Sequence, residues 1–239
     1  MSRVILVRHA QASFLEPNYD KLCATGESQA RLLGEYWARR GVLFGRAWSG
    51  PRVRQEQTAR FVEEAYRRLG REFPELVVMN EFDEYPAEAV MNQGLPQVLE
   101  RSQEVRDLHR AFEVAKGSDD QKRSFQQMFE AVIGMWVSGE LVVEDVESWQ
   151  DFCARVDRGI TTIVDGATSP GDSVVFTSGG PIGVAMRRAL HLSHADTLQL
   201  TWMSRNASFT EFLSSGSRFT LSTFNAHPHL EDESLLTYR

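Results

Sequence analysis

Short apolar runs along the chain alternate with longer segments in which apolar residues recur at helical spacing. The two strongest runs, residues 3–7 and 173–177, have little polar alternation, so each predicts a strand buried on both faces of a sheet. Weaker runs predict strands at residues 46–49, 76–79, 198–202, 208–213 and 219–224. Helical spacing predicts helices at residues 26–40, 53–69, 149–164 and 178–190. Strands alternating with helices predict an α/β fold with a doubly wound, mostly parallel sheet and helices on both faces.

Residues 84–146 differ from the rest of the chain. They are polar, have helical periodicity, contain no convincing strand and are interrupted near residues 117–120. We therefore expect one domain over residues 1–239 that carries a helical insertion at about 84–146. Six apolar residues in this segment indicate helix packing in preference to a substrate pocket or, alternatively, the contact of a homodimer: Met128, Phe129, Val132, Ile133, Trp136 and Val137.

Composition narrows the function classes. With 33 acidic and 26 basic residues, the formal net charge is −7, so the chain has no global attraction to nucleic acid or to anionic membranes. No apolar stretch approaches the roughly 20 residues that a membrane-spanning helix requires. Cys23 and Cys153 are too few for a disulfide framework and lack metal-ligand spacing. These features predict a cytoplasmic protein without a metal site.

Candidate chemistry follows the predicted strands. Arg8 and His9, with Gln11 close behind, come directly after the first strand, where an imidazole is exposed to the crevice at the carboxyl end of the sheet. Neutral histidine is a nucleophile towards phosphorus, and a neighbouring guanidinium offers a bidentate fork to phosphate oxygens. A strand-end histidine that only bonds to backbone remains the alternative interpretation of this feature alone.

Three further strand ends carry similar signals. Arg54 lies in the first turn of the helix after residues 46–49, where a basic residue opposes the helix dipole and free amides favour anions. An acidic segment, residues 80–84, follows the third strand and could supply a general acid. Residues 177–181 (Thr-Ser-Gly-Gly-Pro) follow the second buried strand, and Ser178 and Gly179 could approach a phosphate closely. Taken alone, Arg54 and the acidic segment are more typical of solvated surface residues, and residues 177–181 also suit an ordinary strand-to-helix turn. Their joint order favours a phosphate site.

Five motifs carry a resemblance to a known family. Residues 7–11 (Val-Arg-His-Ala-Gln) resemble the Arg-His-Gly motif of the histidine phosphatase superfamily, also called the phosphoglycerate-mutase-like family. Residues 22–30 resemble its Leu-Thr-x-x-Gly-x-x-Gln-Ala stretch. Residues 54–59, 147–156 and 225–230 are similar to its second arginine motif, its Glu-Ser-x-x-x-Phe-x-x-Arg-Val helix and its closing Asn-x-x-x-His-Leu.

The resemblance implies a doubly wound α/β fold and a phosphohistidine intermediate. By position, His9 would be the nucleophile, and Arg8 and Arg54 would bind the phosphoryl group. Glu81 would be the proton donor, because the family places its acid in an Asn-Glu pair after the third strand. Glu84 is the alternative, since no Gly-x-x-x-Gly follows to define the register.

Three departures from the family pattern bear on activity. Ala10 replaces the motif glycine, and the segment between Ser49 and Thr58 is one residue longer than usual. The usual Ser-His-Gly-Gly is Thr-Ser-Gly-Gly here, so Ser178 stands where the second histidine is expected. Serine keeps a hydrogen-bond donor but brings no positive charge, which predicts either weaker catalysis or compensation by His227 or His229, if the C-terminal segment folds over the crevice.

The function expected from the sequence is a phosphomonoester hydrolase that acts on a small phosphorylated substrate and needs no metal or other cofactor. Gln11, Ser178 and Gly179 are expected to join the two arginines in binding the substrate. The first alternative is a mutase-type phosphotransferase, in which the phosphohistidine is returned to substrate. The second is a weakly active or non-catalytic phospho-ligand binder, because the second histidine is missing.

Overall fold

A computed structural model describes residues 2–13, 20–166, 171–215 and 218–238. Its six strands are β1 (Ser2–Arg8), β2 (Phe44–Ser49), β3 (Leu76–Val78), β4 (Asp172–Thr177), β5 (Phe209–Ser215) and β6 (Arg218–Ala226). Its longer helices are α1 (Ala24–Arg39), α2 (Val53–Arg68), α4 (Leu95–Arg101), α5 (Gln103–Ala115), α6 (Gln121–Ser138), α7 (Trp149–Asp165), α8 (Gly179–Leu190) and α9 (His194–Met203). Shorter turns are α3 (Ala87–Ala89), a π-turn (Val90–Gly94) and two 3-10 turns (Asn80–Phe82 and Glu233–Leu235).

The strands form one mixed sheet in the order β3-β2-β4-β1-β5-β6. The first four are mutually parallel, and β5 and β6 are antiparallel additions at one side. The two strands with the strongest sequence signal, β1 and β4, are the central neighbours, and both are buried along most of their length. The predicted α/β class with a mostly parallel sheet is confirmed, because a strand covered on both faces has no polar side to display.

Helices α1 and α2 pack against each other and cover one face of the sheet. Their core contains residues from both helices and from four strands, including Ile5, Leu33, Trp37, Tyr66 and Phe176. Helix α8 lies against β1 and β6. No helix in the described part of the chain is long and apolar enough to cross a membrane.

The chain divides into two compact units. One contains residues 1–84 and 155–239 with the whole sheet, and the other contains residues 85–154. Within the second unit, Tyr85 packs its ring against Trp136, Trp149 and Phe152. The six apolar residues singled out in α6 are buried, and the predicted break at residues 117–120 falls between α5 and α6.

One predicted strand is wrong: residues 198–202 belong to helix α9. Ser193 begins this helix, because its hydroxyl accepts a hydrogen bond from the Asp196 amide. The helix packs closely on α8, where a Cβ added to Gly183 would lie 2.4 Å from the Thr201 Oγ1. A local cap and this tertiary packing override the β-propensity of a short apolar run.

Candidate functional site

His9 and Ser178 lie side by side at the carboxyl edge of the sheet. Strands β1 and β4 pair in parallel up to Arg8 opposite Thr177, and His9 and Ser178 are the residues that follow. The His9 amide donates to the Thr177 carbonyl across 2.7 Å, which ties the end of one strand to its neighbour. Two segments that are far apart in sequence therefore meet at the edge where ligands bind in open α/β sheets.

The His9 imidazole is held by one acceptor and one donor. Its Nδ1 lies 2.8 Å from the Ala10 carbonyl, and its Nε2 lies 3.1 Å from the Arg54 Nε. Because a carbonyl only accepts and a guanidinium only donates, the ring carries its proton on Nδ1 and a lone pair on Nε2. Burial first, and then the charges of Arg54 and Arg8, lower the pKa of His9 well below 6.5. The imidazole is therefore neutral at neutral pH, with its Nε2 lone pair directed at Arg54.

Arg54 is held from its other side by Asp20, which the sequence analysis did not single out. The Arg54 Nη1 lies 2.7 Å from Asp20 Oδ1, and Asp20 Oδ2 accepts from the Val53 amide across 3.0 Å. The carboxylate thus binds the first turn of α2 and offsets the unfavourable placement of Arg54 near a helix N-terminus. The sequence around a single aspartate in a loop does not show that it pairs with a distant arginine, because the tertiary structure determines that contact.

Arg8 is fixed by the segment that leads into β5. Its Nη1 donates to the Ser204 carbonyl, and the Ala207 amide donates to the Arg8 carbonyl across 3.1 Å. The Asn206 side chain donates to the His9 carbonyl across 3.1 Å. Asn206 is a second supporting residue that the sequence analysis missed, and it braces the backbone that carries the imidazole.

The turn after His9 is built on side chains of α1 and α2. The Ala10 amide donates to Thr58 Oγ1 across 3.0 Å, and that hydroxyl donates to the Arg54 carbonyl across 2.7 Å. The Gln11 amide donates to Gln29 Oε1 across 2.9 Å. These bonds explain why the chain turns sharply after β1, and they place Gln11 beside the same turn.

Ser178 is fully buried, and its hydroxyl accepts a hydrogen bond from a side chain of α2. Its Oγ accepts from Gln55 Nε2 across 2.8 Å. The Phe82 carbonyl accepts from the Thr177 hydroxyl across 2.8 Å and from Gln55 Nε2 across 3.3 Å. Gly179, the first residue of α8, is buried beside Ser178. Gln55 is a third residue that the sequence analysis did not single out.

The two candidate acids occupy different places. The Glu84 carboxylate accepts from the Gly180 amide across 3.1 Å, in the first turn of α8 and two residues from Ser178. Glu81 packs against α7, where a Cβ added to Gly159 would lie 2.6 Å from the Glu81 Cβ. The Arg155 Nη1 donates to the carbonyls of residues 80, 81 and 83, so the segment between the two glutamates is firmly held. The Glu84 carboxylate is thus bound to the first turn of α8, the helix that begins directly after Ser178.

Two histidines near the end of the chain have other surroundings. His229 is buried, with its ring centroid 6.1 Å from that of Tyr36 and 6.4 Å from that of Phe209. Burial, with a smaller contribution from His227, lowers the pKa of His229 to about 3. The His227 Nε2 contacts the Arg205 guanidinium. His229 is thus a neutral component of an aromatic cluster.

Sequence comparison gives one family match. The model described as "Histidine phosphatase superfamily (branch 1)" matches residues 98–227, just over half of the chain. The matched range includes Ser178 and Gly179 and begins after His9 and Arg54. No curated protein matches the chain in sequence. Among the described residues, no group of three or more histidine, cysteine, aspartate or glutamate side chains could hold a metal ion.

Solved structures resemble the whole chain at low sequence identity. A phosphoglycerate mutase from Bacillus anthracis has a TM-score of 0.63 and 17% identity, over 96% of this chain and 95% of its own. A phosphoserine phosphatase variant from Entamoeba histolytica, in complex with phosphoserine, has a TM-score of 0.62 and 15% identity, over 96% of this chain and 100% of its own. A mycobacterial glucosyl-3-phosphoglycerate phosphatase has a TM-score of 0.60 and 19% identity, over 95% and 99%. At these identities the likeness shows the fold.

Proposed function

The chain belongs to the histidine phosphatase superfamily (branch 1), and from that membership we propose that it is a phosphomonoester hydrolase whose nucleophile is His9. The observation that carries the proposal is the neutral, buried imidazole whose Nε2 lone pair lies 3.1 Å from the Arg54 guanidinium. A phosphoryl group bound by that guanidinium would stand directly in front of the lone pair. Nucleophile and anion binder are thus adjacent before substrate arrives.

In the first step, the phosphoryl group of the substrate replaces His9 Nε2 as a partner of Arg54. The Nε2 lone pair attacks phosphorus, an N–P bond forms, and the bond from phosphorus to the leaving oxygen breaks with its electron pair on that oxygen. Arg8 and Arg54 supply the positive charge that faces the equatorial oxygens. The Ala10 carbonyl, which already accepts from Nδ1, stabilises the imidazolium that this attack produces.

We assign protonation of the leaving oxygen to Glu84 in preference to Glu81, because the Glu84 carboxylate is the one bound to the Gly180 amide beside Ser178. The arrival of a phosphoryl dianion next to this carboxylate favours its protonated form, since like charges repel. In the second step, the carboxylate takes a proton from water as the water oxygen attacks phosphorus. The N–P bond breaks, and phosphate and neutral His9 are released.

Ser178 takes the place of the family's second histidine in this proposal. A neutral hydroxyl can donate to a phosphoryl oxygen but cannot balance its charge, so turnover should be lower than with a histidine there. By analogy with the loss of an oxyanion-hole donor, the deficit is on the order of 10²–10³-fold. Inserting an imidazole at this position by Ser178→His should increase turnover if the native site lacks a charge that it can use.

The substrate in this proposal is a small phosphorylated compound. The solved structures that resemble the chain include phosphatases named for phosphoserine and for glucosyl-3-phosphoglycerate, and both compounds are small phosphomonoesters. A mutase also has this fold, so phosphotransfer back to substrate is the competing activity. A non-catalytic phosphate binder is the other competitor, and it would have no use for a neutral imidazole beside an arginine.

Hydrolysis of p-nitrophenyl phosphate by the wild-type protein and a His9→Ala variant, with chelator present, tests the proposal. His109→Ala is the matched control, because His109 lies on α5 in the second compact unit. We expect turnover in the wild type and in the control, and its loss in His9→Ala. Intact mass at alkaline pH should show a phosphoryl adduct on the wild type after rapid mixing. Equal rates for His9→Ala and wild type would refute the proposal. Transfer of the phosphoryl group to an added alcohol, without release of inorganic phosphate, would favour phosphotransfer.

A further inference from the structure

Gln55 is a buried amide that uses both ends of its side chain. Its Oε1 accepts from the Arg52 amide across 3.0 Å, at the start of α2. Its Nε2 donates to Ser178 Oγ across 2.8 Å and to the Phe82 carbonyl across 3.3 Å. Gln55 is 0% exposed, so these bonds are made away from water and fix the orientation of the amide.

Gly50 leaves the space that this amide needs. A Cβ added to Gly50 would lie 2.2 Å from Gln55 Oε1 and 2.4 Å from the Phe82 carbonyl oxygen, and neither contact is tolerable. Any other residue at position 50 would displace the amide from Ser178. The glycine lies in the segment between Ser49 and Thr58 that is one residue longer than the family pattern, and the donor to Ser178 comes from the same segment.

The bond from Gln55 determines where the Ser178 proton can point. A serine hydroxyl has one proton to donate and two lone pairs that can accept. The Gln55 amide occupies a lone pair, so the proton must point away from Gln55. Among the described residues, the hydrogen bond from Gln55 is the one that the Ser178 hydroxyl makes, and it donates none, although Ser178 is 0% exposed. A buried donor without an acceptor is costly, and a ligand oxygen would satisfy it.

We propose that Gln55 is a positioning residue that turns the Ser178 hydroxyl proton towards the phosphoryl oxygens. The inference rests on the proposed function, because it requires that the phosphoryl group binds between His9 and Ser178. Gln55 and Ser178 together form a neutral donor pair at the position where the family pattern has a histidine. The amide holds the hydroxyl in its donating orientation before the substrate arrives, so no reorientation is needed in the transition state.

The alternative is a purely structural role, in which Gln55 only stabilises the first turn of α2 through the Arg52 amide. That role predicts a loss of stability and a rate effect that is independent of Ser178. The positioning role predicts that Gln55 acts through the Ser178 hydroxyl, so its rate effect disappears once the hydroxyl is gone. A double-mutant cycle separates the two, because it isolates the interaction between the two side chains.

The experiment compares kcat for p-nitrophenyl phosphate in the wild type, Ser178→Ala, Gln55→Leu and the double variant, with thermal unfolding of each. We expect kcat to fall about tenfold or more in Ser178→Ala and by a similar factor in Gln55→Leu, with little change in KM. The double variant should be no slower than Ser178→Ala. Gln57→Leu is the matched control, since Gln57 lies on the same helix and accepts from the Leu22 amide across 2.8 Å. Gln57→Leu should change kcat by the same factor in the wild-type and the Ser178→Ala backgrounds.

Two results would overturn the inference while leaving the proposed function intact. One is a double variant whose kcat falls by the product of the two single effects. The other is an unchanged kcat in Ser178→Ala while His9→Ala is inactive. If Gln55→Leu fails to fold, the second result still decides, because Ser178→Ala removes only one hydroxyl. A wild-type rate no higher than that of His9→Ala would instead refute the proposed function.

Discussion

The Arg54 Nε donates to the His9 Nε2 across 3.1 Å, so the side chain that can bind a phosphoryl group is placed against the lone pair that can attack it. This contact, with burial, keeps the imidazole neutral and assigns its proton to Nδ1. It also means that a phosphoryl group must replace the His9 Nε2 as the partner of Arg54 before the lone pair is free to attack. Substrate binding and exposure of the nucleophile are therefore the same event in the proposed mechanism.

The pH dependence of kcat/KM should reflect the low pKa of His9. Since burial and two arginines lower this pKa well below 6.5, the acid limb assigned to His9 should lie well below pH 6.5. Arg54→Gln removes one of the two charges, so it should move this limb to higher pH in addition to raising KM. A pH–rate profile of both proteins checks the prediction. An acid limb at or above 6.5 in the wild type would contradict it.

Neutralising Asp20 should strengthen the binding of phosphate. Asp20 contacts Arg54 across 2.7 Å and competes with a phosphoryl oxygen for the guanidinium. Asp20→Asn keeps an oxygen for the Val53 amide but removes the negative charge, so we expect inhibition by inorganic phosphate at concentrations about three- to tenfold lower. The inhibition constant measured at fixed ionic strength is the readout.

Glu56→Gln is the matched control for Asp20→Asn. Glu56 lies on α2, the helix that carries Arg54, and pairs with the exposed Arg60 across 3.7 Å. Glu56→Gln therefore changes the net charge by the same amount as Asp20→Asn, without removing a partner of Arg54. We expect it to leave phosphate inhibition nearly unchanged. Equal effects of the two variants would attribute the result to net charge and would contradict a specific role for Asp20.

The two glutamates should be distinguished by the leaving group. Glu84→Gln retains an oxygen for the Gly180 amide but cannot donate a carboxylic proton. We expect it to slow hydrolysis of an alkyl phosphate by about 10²-fold or more and that of p-nitrophenyl phosphate far less, because p-nitrophenolate leaves without a proton. Glu81→Gln should leave this ratio of rates as it is in the wild type. The reverse pattern would return the assignment to Glu81.

His229 should make folding stability depend on pH. Its folded pKa of about 3 lies below the ordinary 6.5, so the unfolded chain binds more protons at intermediate pH. Its contribution is complete above pH 6.5 and is lost as pH falls towards 3, which amounts to about 2 kcal/mol between pH 7 and pH 5. His229→Phe, which suits the Tyr36 and Phe209 rings, should be less sensitive to this change. Urea unfolding of both proteins at the two pH values is the measurement, and equal losses would contradict the prediction.

The sequence by itself determined the α/β class, the two central strands and most helices. Burial on both faces removes polar alternation from residues 3–7 and 173–177, and an amphipathic helix repeats its apolar residues locally, so both signals can be read within one segment. The same argument failed at residues 198–202. There a cap at Ser193 and close packing of α9 on α8 decided between helix and strand.

Only the tertiary structure decided which side chains meet around His9 and Ser178. Asp20 and Arg54 are 34 residues apart, Glu84 and Gly180 are 96 apart, and Gln55 and Ser178 are 123 apart. Such pairs depend on which strands are neighbours in the sheet and on how the connecting loops end, which no local pattern encodes. The motifs therefore indicated the proposed nucleophile and its arginines, whereas the partners of those residues follow from the placement of β1 beside β4 in the sheet.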